Sequence, residues 1–516
     1  MKTLRSHVGG RWFEAAEGFT PLVDPSTEEE IAQISSAGLD FAAAVETARN
    51  QGGPTLRSMT FIERGALLKA MSKALREHRD ELLDLSRRNN GTTRSDGAFD
   101  IDGAGGTLAY YATVAKGLGE RRVLLEGDKI PLSREGGFWG RHLWVPRQGI
   151  AVHINAFNFP AWGFAEKAAC ALLAGMPVIT KPASSTAMVA HRCVEIVTEA
   201  GILPPGALQL VCGPTGNLLD LVGAQDVLAF TGSADTSQVL RQRSRVQAVN
   251  TRFNVEAESL NAAVLGPDVE PDSATMDLFL RDVVREITQK AGQKCTAVRR
   301  ILVPAESISA TQDALIERLE KVVTGNPGDD TVTMGPLATA RQLASAVEGI
   351  AALRNEAQLI HGSGDRIDGV GSPAGKGFFL GPTLLRLDDA FDGDRVHQHE
   401  VFAPVATVMP YDGTGGQAAE VMALAGGTLV TSAYSDDSDW VGELLARGGS
   451  ATGRIYVGSE ESGSEAPGSG AALPQTLHGG PGRAGGGEEL GGLIGVQLYL
   501  QRLAIQGGPS LVSSFE

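Results

Sequence analysis

Residues 149–154 read Gly-Ile-Ala-Val-His-Ile, and after a polar loop the apolar run 161–173 follows. The first segment has the length and composition of a buried strand, and the second has those of a helix. Apolar strands that alternate with helices predict an α/β fold with a doubly wound parallel sheet. The same alternation continues with predicted strands at 176–181, 207–211, 227–230 and 252–256 and predicted helices at 186–200 and 235–243.

Polar or small residues follow four of these strands. In a doubly wound sheet, ligands bind at the carboxyl ends of the strands. We therefore expect the residues that act on a ligand in these loops. The loops are 155–160, 181–185, 231–235 and 256–261.

The segments on either side of this sheet have different patterns. Apolar residues at near-helical spacing predict helices over 40–114, whereas 5–36 has the pattern of short strands and turns. The run 123–147 predicts a β excursion of a kind that often pairs with another subunit. The remaining segments are a second α/β region (262–460), a Gly-rich tail that predicts a long loop (459–495) and a terminal strand (496–504).

The bulk properties limit the class of protein. The chain has 516 residues, which predicts two or three domains, and its net charge of −16 argues against binding of nucleic acids or membranes. The apolar run 168–180 is too short to span a bilayer, and residues 1–11 lack the apolar core of a signal peptide. The 4 cysteines form no CxxC pair, which predicts a reducing, cytoplasmic location.

Cys295 lies in a loop of mostly small residues, 291–297, between a predicted helix over 276–290 and an apolar run over 298–303. The thiolate is the nucleophilic form of cysteine, so a reactive thiol needs a helix N-terminus or a cation nearby. Lys294 is adjacent in sequence, which does not establish contact. Taken alone, a single cysteine is more often an inert, buried thiol.

Two other motifs are discounted. Residues 480–485 match GxGxxG, but no strand precedes them, so they are not interpreted as a dinucleotide fingerprint. His397 and His399 lie two residues apart with no second cluster of ligands elsewhere, so no metal site is predicted.

Five motifs, in this order and spacing, resemble those of the aldehyde dehydrogenase superfamily, and the resemblance covers nearly the whole chain. Residues 151–160, 254–261 and 99–103 are most similar to the branch that acts on ring-cleavage products of aromatic acids carried as coenzyme A thioesters. The five motifs are Asn155-Ala156-Phe157-Asn158-Phe159-Pro160, Lys181-Pro182-Ala183-Ser184, Phe230-Thr231-Gly232-Ser233, Gly292-Gln293-Lys294-Cys295 and Glu400-Val401-Phe402-Ala403-Pro404-Val405.

The resemblance implies the aldehyde dehydrogenase fold, in which a doubly wound cofactor domain is joined to an α/β catalytic domain and a β arm. It implies a homodimer or a dimer of dimers formed through the arm. The corresponding ranges are a dinucleotide-binding domain at 1–122 and 148–258, a catalytic domain at 259–465, and an oligomerisation arm at 123–147 and 490–516.

The resemblance also implies the catalytic residues. Cys295 attacks the aldehyde carbon, and the Asn158 amide and the Cys295 backbone N–H stabilise the oxyanion. Glu256 matches the general base that activates water for thioester hydrolysis, although Glu258 is a competitor because it would share a strand face with Glu256. Two further matches, Lys167 and Glu489, correspond to a proton relay.

The implied cofactor is NADP, with NAD as the weaker alternative. By resemblance, Lys181 binds the adenosine ribose and Glu400 the nicotinamide ribose. Ser184 stands where NAD-preferring relatives often have Glu, and unlike a carboxylate it does not repel a 2′-phosphate. The other implied cofactor residues are Asn155, Phe157, Ala183, Gly232, Ser233 and Phe402.

The implied substrate is a small aldehyde carried as a coenzyme A thioester in benzoate degradation. A broader medium-chain aldehyde dehydrogenase and a CoA-acylating enzyme remain alternatives, although retention of Glu256 favours hydrolysis. A cysteine hydrolase would need a histidine partner for Cys295, for which His153 is conceivable. A catalytically silent relative would be expected to have lost Cys295 or Glu256, and both are present. Arg299 and Arg300 are interpreted as ordinary surface charges, with contact to the phosphates of coenzyme A as the alternative.

Overall fold

A computed structural model describes residues 1–463 and 465–514. The strands are β1 Lys2–Leu4, β2 Ser6–Val8, β3 Arg11–Phe13, β4 Thr20–Val23, β5 Glu30–Ile34, β6 Leu124–Pro131, β7 Trp139–Pro146, β8 Ala151–Ile154, β9 Val178–Lys181, β10 Leu208–Leu210, β11 Val227–Thr231, β12 Arg252–Glu256, β13 Asn261–Leu265, β14 Val298–Pro304, β15 Gln358–His361, β16 Thr383–Arg386, β17 Val405–Tyr411, β18 Thr431–Tyr434, β19 Ile455–Gly458, β20 Leu477–Gly479, β21 Glu488–Leu490 and β22 Leu500–Gly507.

The α-helices alternate with these strands or cover the sheets. They are α1 Phe41–Thr47, α2 Gly53–Ser58, α3 Phe61–Glu77, α4 Arg79–Asn90, α5 Arg94–Leu118, α6 Trp162–Ala174, α7 Ala187–Glu199, α8 Ala234–Arg241, α9 Ser244–Ala248, α10 Ala274–Thr288, α11 Ile308–Leu319, α12 Ala340–Leu353, α13 Asp394–Gln398, α14 Gly415–Ala423, α15 Ser438–Gly448, α16 Leu493–Gln497 and α17 Pro509–Ser513.

The first large sheet has the order β12-β11-β8-β9-β10-β2-β3. Strands β8 to β12 are parallel, and the antiparallel pair β2–β3 extends the edge beyond β10. The five predicted parallel strands are confirmed. Chain order runs outward in both directions from the boundary between β8 and β11, and a ligand crevice forms at such a switch point.

The short strands of this sheet form because both of their faces are covered. All four residues of β8 are buried, and so are nearly all residues of α6, which packs against it and against α5. A strand or helix buried on all sides requires an apolar sequence rather than an alternating one. Helix α6 nevertheless contains Glu166 and Lys167, two buried charges in an otherwise apolar segment.

The second large sheet has the order β15-β16-β17-β14-β13-β18-β19, with only β15 antiparallel to its neighbour among the described strands. Cys295 lies in the connection from α10 to β14. Just before it, Lys290, Ala291 and Gly292 all have left-handed backbone conformations, with φ of 55°, 52° and 68°. A Cβ at Gly292 would lie 2.2 Å from the carbonyl oxygen of Ala403, so only glycine permits this close approach.

The arm is an antiparallel sheet with the order β22-β7-β6. Strand β22 pairs with β7 from Leu500 opposite Pro146 to Gly507 opposite Trp139. The terminal strand therefore begins later than predicted, because Val496 belongs to the short helix α16. The last two residues of the predicted arm range, 515–516, and residue 464 of the predicted catalytic range lie outside the described residues.

The Gly-rich tail is not only a loop. Strands β20 and β21 form an antiparallel pair within it, and the turn between them packs edge-on against β12. The Gly487 N–H donates to the carbonyl of Val255, and the Ala257 N–H donates to the carbonyl of Ala484. A Cβ at Gly485 would lie 2.3 Å from the Val255 oxygen, which explains the glycine composition by close backbone contact.

No helix within residues 1–463 and 465–514 combines the length and the apolar character that crossing a bilayer requires.

Candidate active site

Three side chains from distant parts of the chain meet at the end of β12. The Sγ of Cys295 lies 3.9 Å from the Nε2 of His478. The same Nε2 lies 3.1 Å from an Oε of Glu256. Glu256 is the last residue of β12, Cys295 follows α10, and His478 is in β20, so three separate elements position the cluster.

The residues of this cluster shift one another's pKa values. Burial alone would raise the pKa of Glu256, but the charge and hydrogen bond of His478, together with Lys167, hold it below its usual range. Burial alone would lower the pKa of His478, but the charge and hydrogen bond of Glu256 raise it. Burial raises the pKa of Cys295 well above its ordinary value, and the charge of Glu256 adds to this effect. The cluster therefore favours the carboxylate form of Glu256 and the imidazolium form of His478, and it disfavours the thiolate form of Cys295.

Lys167 lies behind this cluster and bridges two carboxylates. Its Nζ is 2.9 Å from an Oε of Glu166 and 3.0 Å from an Oε of Glu489. Burial alone would lower the pKa of Lys167, but Glu166, Glu489 and Glu256 raise it well above its ordinary value. Burial raises the pKa of Glu489 to about 7, against the opposing effect of Lys167. The two predicted relay residues, Lys167 and Glu489, are thus brought into direct contact.

Asn158 lies on the other side of the thiol. It is buried, and its side-chain amide donates to the carbonyl of Gln293 over 3.0 Å. The Asn261 amide donates to the carbonyls of Cys295 and Ala297 over 2.8 and 2.9 Å, which fixes the loop that carries the thiol. An amide group has two N–H donors, so Asn158 retains one for a ligand oxygen.

A small cavity of about 50 Å³ opens onto these groups. Its walls include the rings of Phe99, Phe159 and Trp162, which contact one another edge to face with centroids 5.3–6.0 Å apart. The polar residues at its base are Asn158, Glu166, Lys167, Glu256, Cys295 and His478. An apolar cavity with a few convergent polar groups is typical of a small-molecule site.

Glu258 does not reach the cluster. One of its carboxylate oxygens accepts from the Ala234 N–H over 3.2 Å, and the other accepts from Arg483 over 2.9 Å. The strand ends at Glu256, so the strict alternation that would put Glu256 and Glu258 on one face does not continue. This geometry favours Glu256 over its competitor.

His153, the conceivable partner of Cys295 in a hydrolase, has a different environment. Its Nε2 lies 3.1 Å from the hydroxyl of Tyr499, and burial lowers its pKa well below the ordinary value. His478 occupies the position beside Cys295 instead.

Three cations near Cys295 in sequence have structural roles. The Lys294 Nζ is 2.7 Å from Glu286, so this cation is paired with a carboxylate of α10 rather than with the thiol. The interpretation of Arg299 and Arg300 as surface charges is wrong, because both are buried. Arg300 donates to the carbonyls of Leu260, Val421 and Met422 and contacts His397, which ties the second sheet to its covering elements.

The predicted cofactor residues lie at the carboxyl ends of β8, β9 and β11 and on a loop of the second α/β region. The rings of Phe157 and Phe402 meet edge to face, with centroids 5.8 Å apart. Asn155 donates to the Thr180 hydroxyl over 3.0 Å. Ala183 and Ser184 follow β9, and Gly232 and Ser233 follow β11.

The charged groups in these loops fit a dinucleotide. Ser233 accepts from the Thr236 N–H as the N-cap of α8, and the Ala234 N–H in the same turn donates to Glu258. Glu400 accepts from the Ser259 N–H over 3.2 Å and from Arg299 over 3.4 Å, and burial raises its pKa to about 7. Within the described residues, Lys181 has no carboxylate at ion-pair distance, so its charge is available to a phosphate or ribose.

The sequence pattern of the aldehyde dehydrogenase family matches residues 12–491, which is most of the chain. The chain belongs to the aldehyde dehydrogenase family. Among curated proteins, a 3,4-dehydroadipyl-CoA semialdehyde dehydrogenase from Aromatoleum evansii is 45% identical over 478 residues, covering 93% of each chain. This aldehyde dehydrogenase is thus an NAD(P)-dependent enzyme that oxidises aldehydes.

Solved structures share the fold of this aldehyde dehydrogenase. A point mutant of betaine aldehyde dehydrogenase from Staphylococcus aureus in complex with NAD+ aligns with a TM-score of 0.85, 23% identity and coverage of 98% of both chains. A 3,6-anhydro-L-galactose dehydrogenase aligns with a TM-score of 0.84 and 22% identity, covering 98% of this chain and all of the other. The predicted aldehyde dehydrogenase fold is confirmed.

The sequence reasoning missed two residues of the site. His478 follows a single apolar residue and precedes two glycines in a tail that predicts a loop, so its pattern gave no signal. Glu166 could have been found from the sequence, because Glu166 and Lys167 are the two charged residues of an otherwise apolar helix.

Proposed function

We propose that this enzyme oxidises a semialdehyde carried as a coenzyme A thioester to the free acid, with NADP as the preferred cofactor. The observation that carries the chemistry is the meeting of Cys295, Glu256 and His478 at the base of one apolar cavity. The curated relative supports the substrate, 3,4-dehydroadipyl-CoA semialdehyde of benzoate degradation.

The first half of the reaction acylates the enzyme. The Cys295 sulfur forms a bond to the aldehyde carbon while its proton passes to the Glu256–His478 pair. The oxyanion that results accepts a hydrogen bond from the Asn158 amide, whose orientation is fixed by its bond to Gln293. Hydride acceptance is the chemistry that a nicotinamide held near Glu400 and Phe402 would supply, and loss of the hydride would leave the carbon on Cys295 as a thioester.

The second half releases the acid. Glu256 takes a proton from water as the water oxygen attacks the thioester, and the carbon–sulfur bond then breaks. Lys167 and Glu489 are the relay for this proton, because Lys167 contacts Glu166 and Glu489 and an oxygen of each of these carboxylates lies within 4.8 Å of one of Glu256. With a pKa raised to about 7, Glu489 exchanges its proton near neutral pH.

Product analysis distinguishes hydrolysis of the thioester from CoA acylation. Free acid as the product supports hydrolysis, and a new thioester in solution contradicts it.

The cofactor preference rests on Ser184 and Lys181. We expect Ser184→Glu to lower kcat/KM for NADP relative to NAD by about one to two orders of magnitude, because a carboxylate repels the 2′-phosphate and binds ribose hydroxyls. The ratio of kcat/KM values for the two cofactors measures the effect. Ser185→Glu, one residue along, is the matched control. A wild-type enzyme that prefers NAD would contradict the proposal.

We propose that the coenzyme A handle extends toward a surface cleft between α10 and α11. Gly470 and Ala472 line the cavity, and the carbonyl of Gly463 accepts from Arg281. Arg285 packs against Gly468 of the same loop. Helices α10 and α11 border a cleft of about 640 Å³ whose lining includes Arg281, Arg285, Arg318, Lys321 and Glu317. The cations are paired with Asp277, Asp282 and Glu317, but each arginine has five N–H donors and can contact a coenzyme A phosphate as well.

We expect Arg281→Ala with Arg285→Ala to raise KM for the CoA semialdehyde by about tenfold and to leave KM for a simple medium-chain aldehyde unchanged, since only the former carries phosphates. Arg341→Ala, an exposed arginine on α12, is the control. Steady-state kinetics at low and high salt measure the difference. Equal kcat/KM of the wild-type enzyme for both aldehydes would favour a broader medium-chain enzyme.

Three further features stay predictions. The domain division into 1–122 with 148–258, 259–465, and the arm at 123–147 with 490–516 is supported by the separate sheets. The antiparallel β6–β7–β22 sheet supports a homodimer or a dimer of dimers. All four cysteines are free thiols, which is compatible with a cytoplasmic location.

A further inference from the structure

The cluster of Glu256, Cys295 and His478 has the geometry of a metal site. One ligand atom from each residue lies within 4.8 Å of the others. The Sγ–Nε2 separation is 3.9 Å and the Nε2–Oε separation is 3.1 Å. In a tetrahedral zinc site with ordinary bond lengths, neighbouring ligand atoms are about 3.3–3.6 Å apart. The Sγ–Nε2 and Nε2–Oε separations therefore lie within about 0.3 Å of this range, and the Sγ–Oε separation, which is at most 4.8 Å, has to close to the same range.

The donor set selects the ion. A thiolate, an imidazole nitrogen and a single carboxylate oxygen suit Zn²⁺ and are poor ligands for Mg²⁺ or Ca²⁺. Three protein ligands leave a fourth position open, and the cavity lined by these same residues supplies room for a water molecule there. Access is through the cavity, since Cys295 is only partly buried.

Binding of Zn²⁺ releases the proton of the Cys295 thiol and any proton on the Nε2 of His478, because the ligands are the thiolate and the neutral imidazole. The step forms Zn–S, Zn–N and Zn–O bonds and involves no oxidation.

A second group of carboxylates nearby is a weaker candidate. Glu166, Glu256 and Glu489 also place oxygens within 4.8 Å of one another. However, the Nζ of Lys167 already lies 2.9 Å from Glu166 and 3.0 Å from Glu489, so an ammonium group fills the centre of that group. The cysteine-containing cluster has no such occupant among the described residues.

We propose that Glu256, Cys295 and His478 bind one Zn²⁺ ion and that this ion inhibits the enzyme reversibly. The ion occupies the nucleophile and the general base at the same time, so the thiol cannot attack an aldehyde and the carboxylate cannot take a proton. Zinc is an inhibitor here and not a resident cofactor of the oxidation.

The test uses Co²⁺ and Zn²⁺ with the full-length enzyme in the absence of substrate and cofactor. We expect one equivalent of Co²⁺ to produce a sulfur-to-cobalt charge-transfer band, and one equivalent of Zn²⁺ to remove it. Zn²⁺ should also protect Cys295 from iodoacetamide and inhibit dehydrogenase activity until EDTA is added. Absence of the charge-transfer band in the wild-type enzyme overturns the proposal whatever the variants do.

Substitutions assign the ligands. His478→Gln is expected to weaken zinc binding by more than about 100-fold, since even changes outside the ligand shell cost 10–100-fold. Cys295→Ala should abolish the charge-transfer band. His78→Gln, on the remote helical layer, should bind Zn²⁺ like the wild type. Unchanged affinity in His478→Gln, or a band that survives in Cys295→Ala, contradicts the site. None of these binding measurements depends on which aldehyde is the substrate.

Discussion

Replacement of Cys295 by alanine is expected to lower kcat/KM for aldehyde oxidation by about five to six orders of magnitude, as when a nucleophile is removed from a catalytic unit. No other thiol can substitute for it. Burial raises the pKa values of Cys170, Cys193 and Cys212, and all three are fully enclosed. NADPH formation at saturating aldehyde measures the loss.

The fold and the cofactor site should remain intact in this variant, because Cys295 is at the edge of a cavity and its loop is held by the Asn261 side-chain amide, which donates to the carbonyls of residues 295 and 297. NADP binding by fluorescence quenching is expected to be unchanged. Cys193→Ala, which removes a buried thiol in α7, is the matched control and should keep its activity. Residual turnover above about 1% of wild type in Cys295→Ala would show that another group is the nucleophile.

Glu256→Gln has the second-largest expected effect. Steady-state turnover should fall by about 10²–10⁴-fold, because an amide cannot accept the proton of the attacking water. The first turnover should persist. Glu256 raises the pKa of Cys295, so its neutralisation makes the thiol easier to ionise, and His478 without its carboxylate partner can accept the thiol proton. We therefore expect a burst of NADPH followed by very slow turnover.

Glu258→Gln is the matched control for this experiment. Glu258 has the same side chain two residues away, but its carboxylate is bound by Arg483 and the Ala234 N–H, away from the thiol. The Glu258→Gln variant should show no burst of NADPH. A variant pair in which Glu258→Gln accumulates the acyl-enzyme and Glu256→Gln does not would reverse the assignment of the base. Iodoacetamide alkylation of Glu256→Gln should also be faster than that of the wild type at neutral pH.

Much of the fold could be predicted from local pattern. The five parallel strands of the first sheet are short apolar runs, and the helices between them have clear boundaries, such as the left-handed Gly175 after α6. The tail could not be predicted in this way. Its glycines permit close contact of Gly485 and Gly487 with Val255, a contact between residues more than 200 positions apart.

Some residues of the active site could likewise be predicted from the sequence, and others could not. Lys167 and Glu489 were expected as a relay from the resemblance, and they meet at 3.0 Å although 322 positions separate them in sequence (489 − 167). His478 could not be found because neither spacing nor composition marks it. Arg299 and Arg300 were misjudged since charged residues are rarely buried, and here backbone carbonyls from several loops surround them.

The most direct test of the mechanism is a chemical trap in Glu256→Gln. The variant is mixed with NADP and the CoA semialdehyde, quenched in acid within the burst, digested and mapped by mass spectrometry. We predict one NADPH per site and an acyl thioester on the peptide that contains Cys295. NADPH formation without an adduct on Cys295, or an adduct on a different residue, would contradict a mechanism in which Cys295 is the nucleophile and Glu256 the base for thioester hydrolysis.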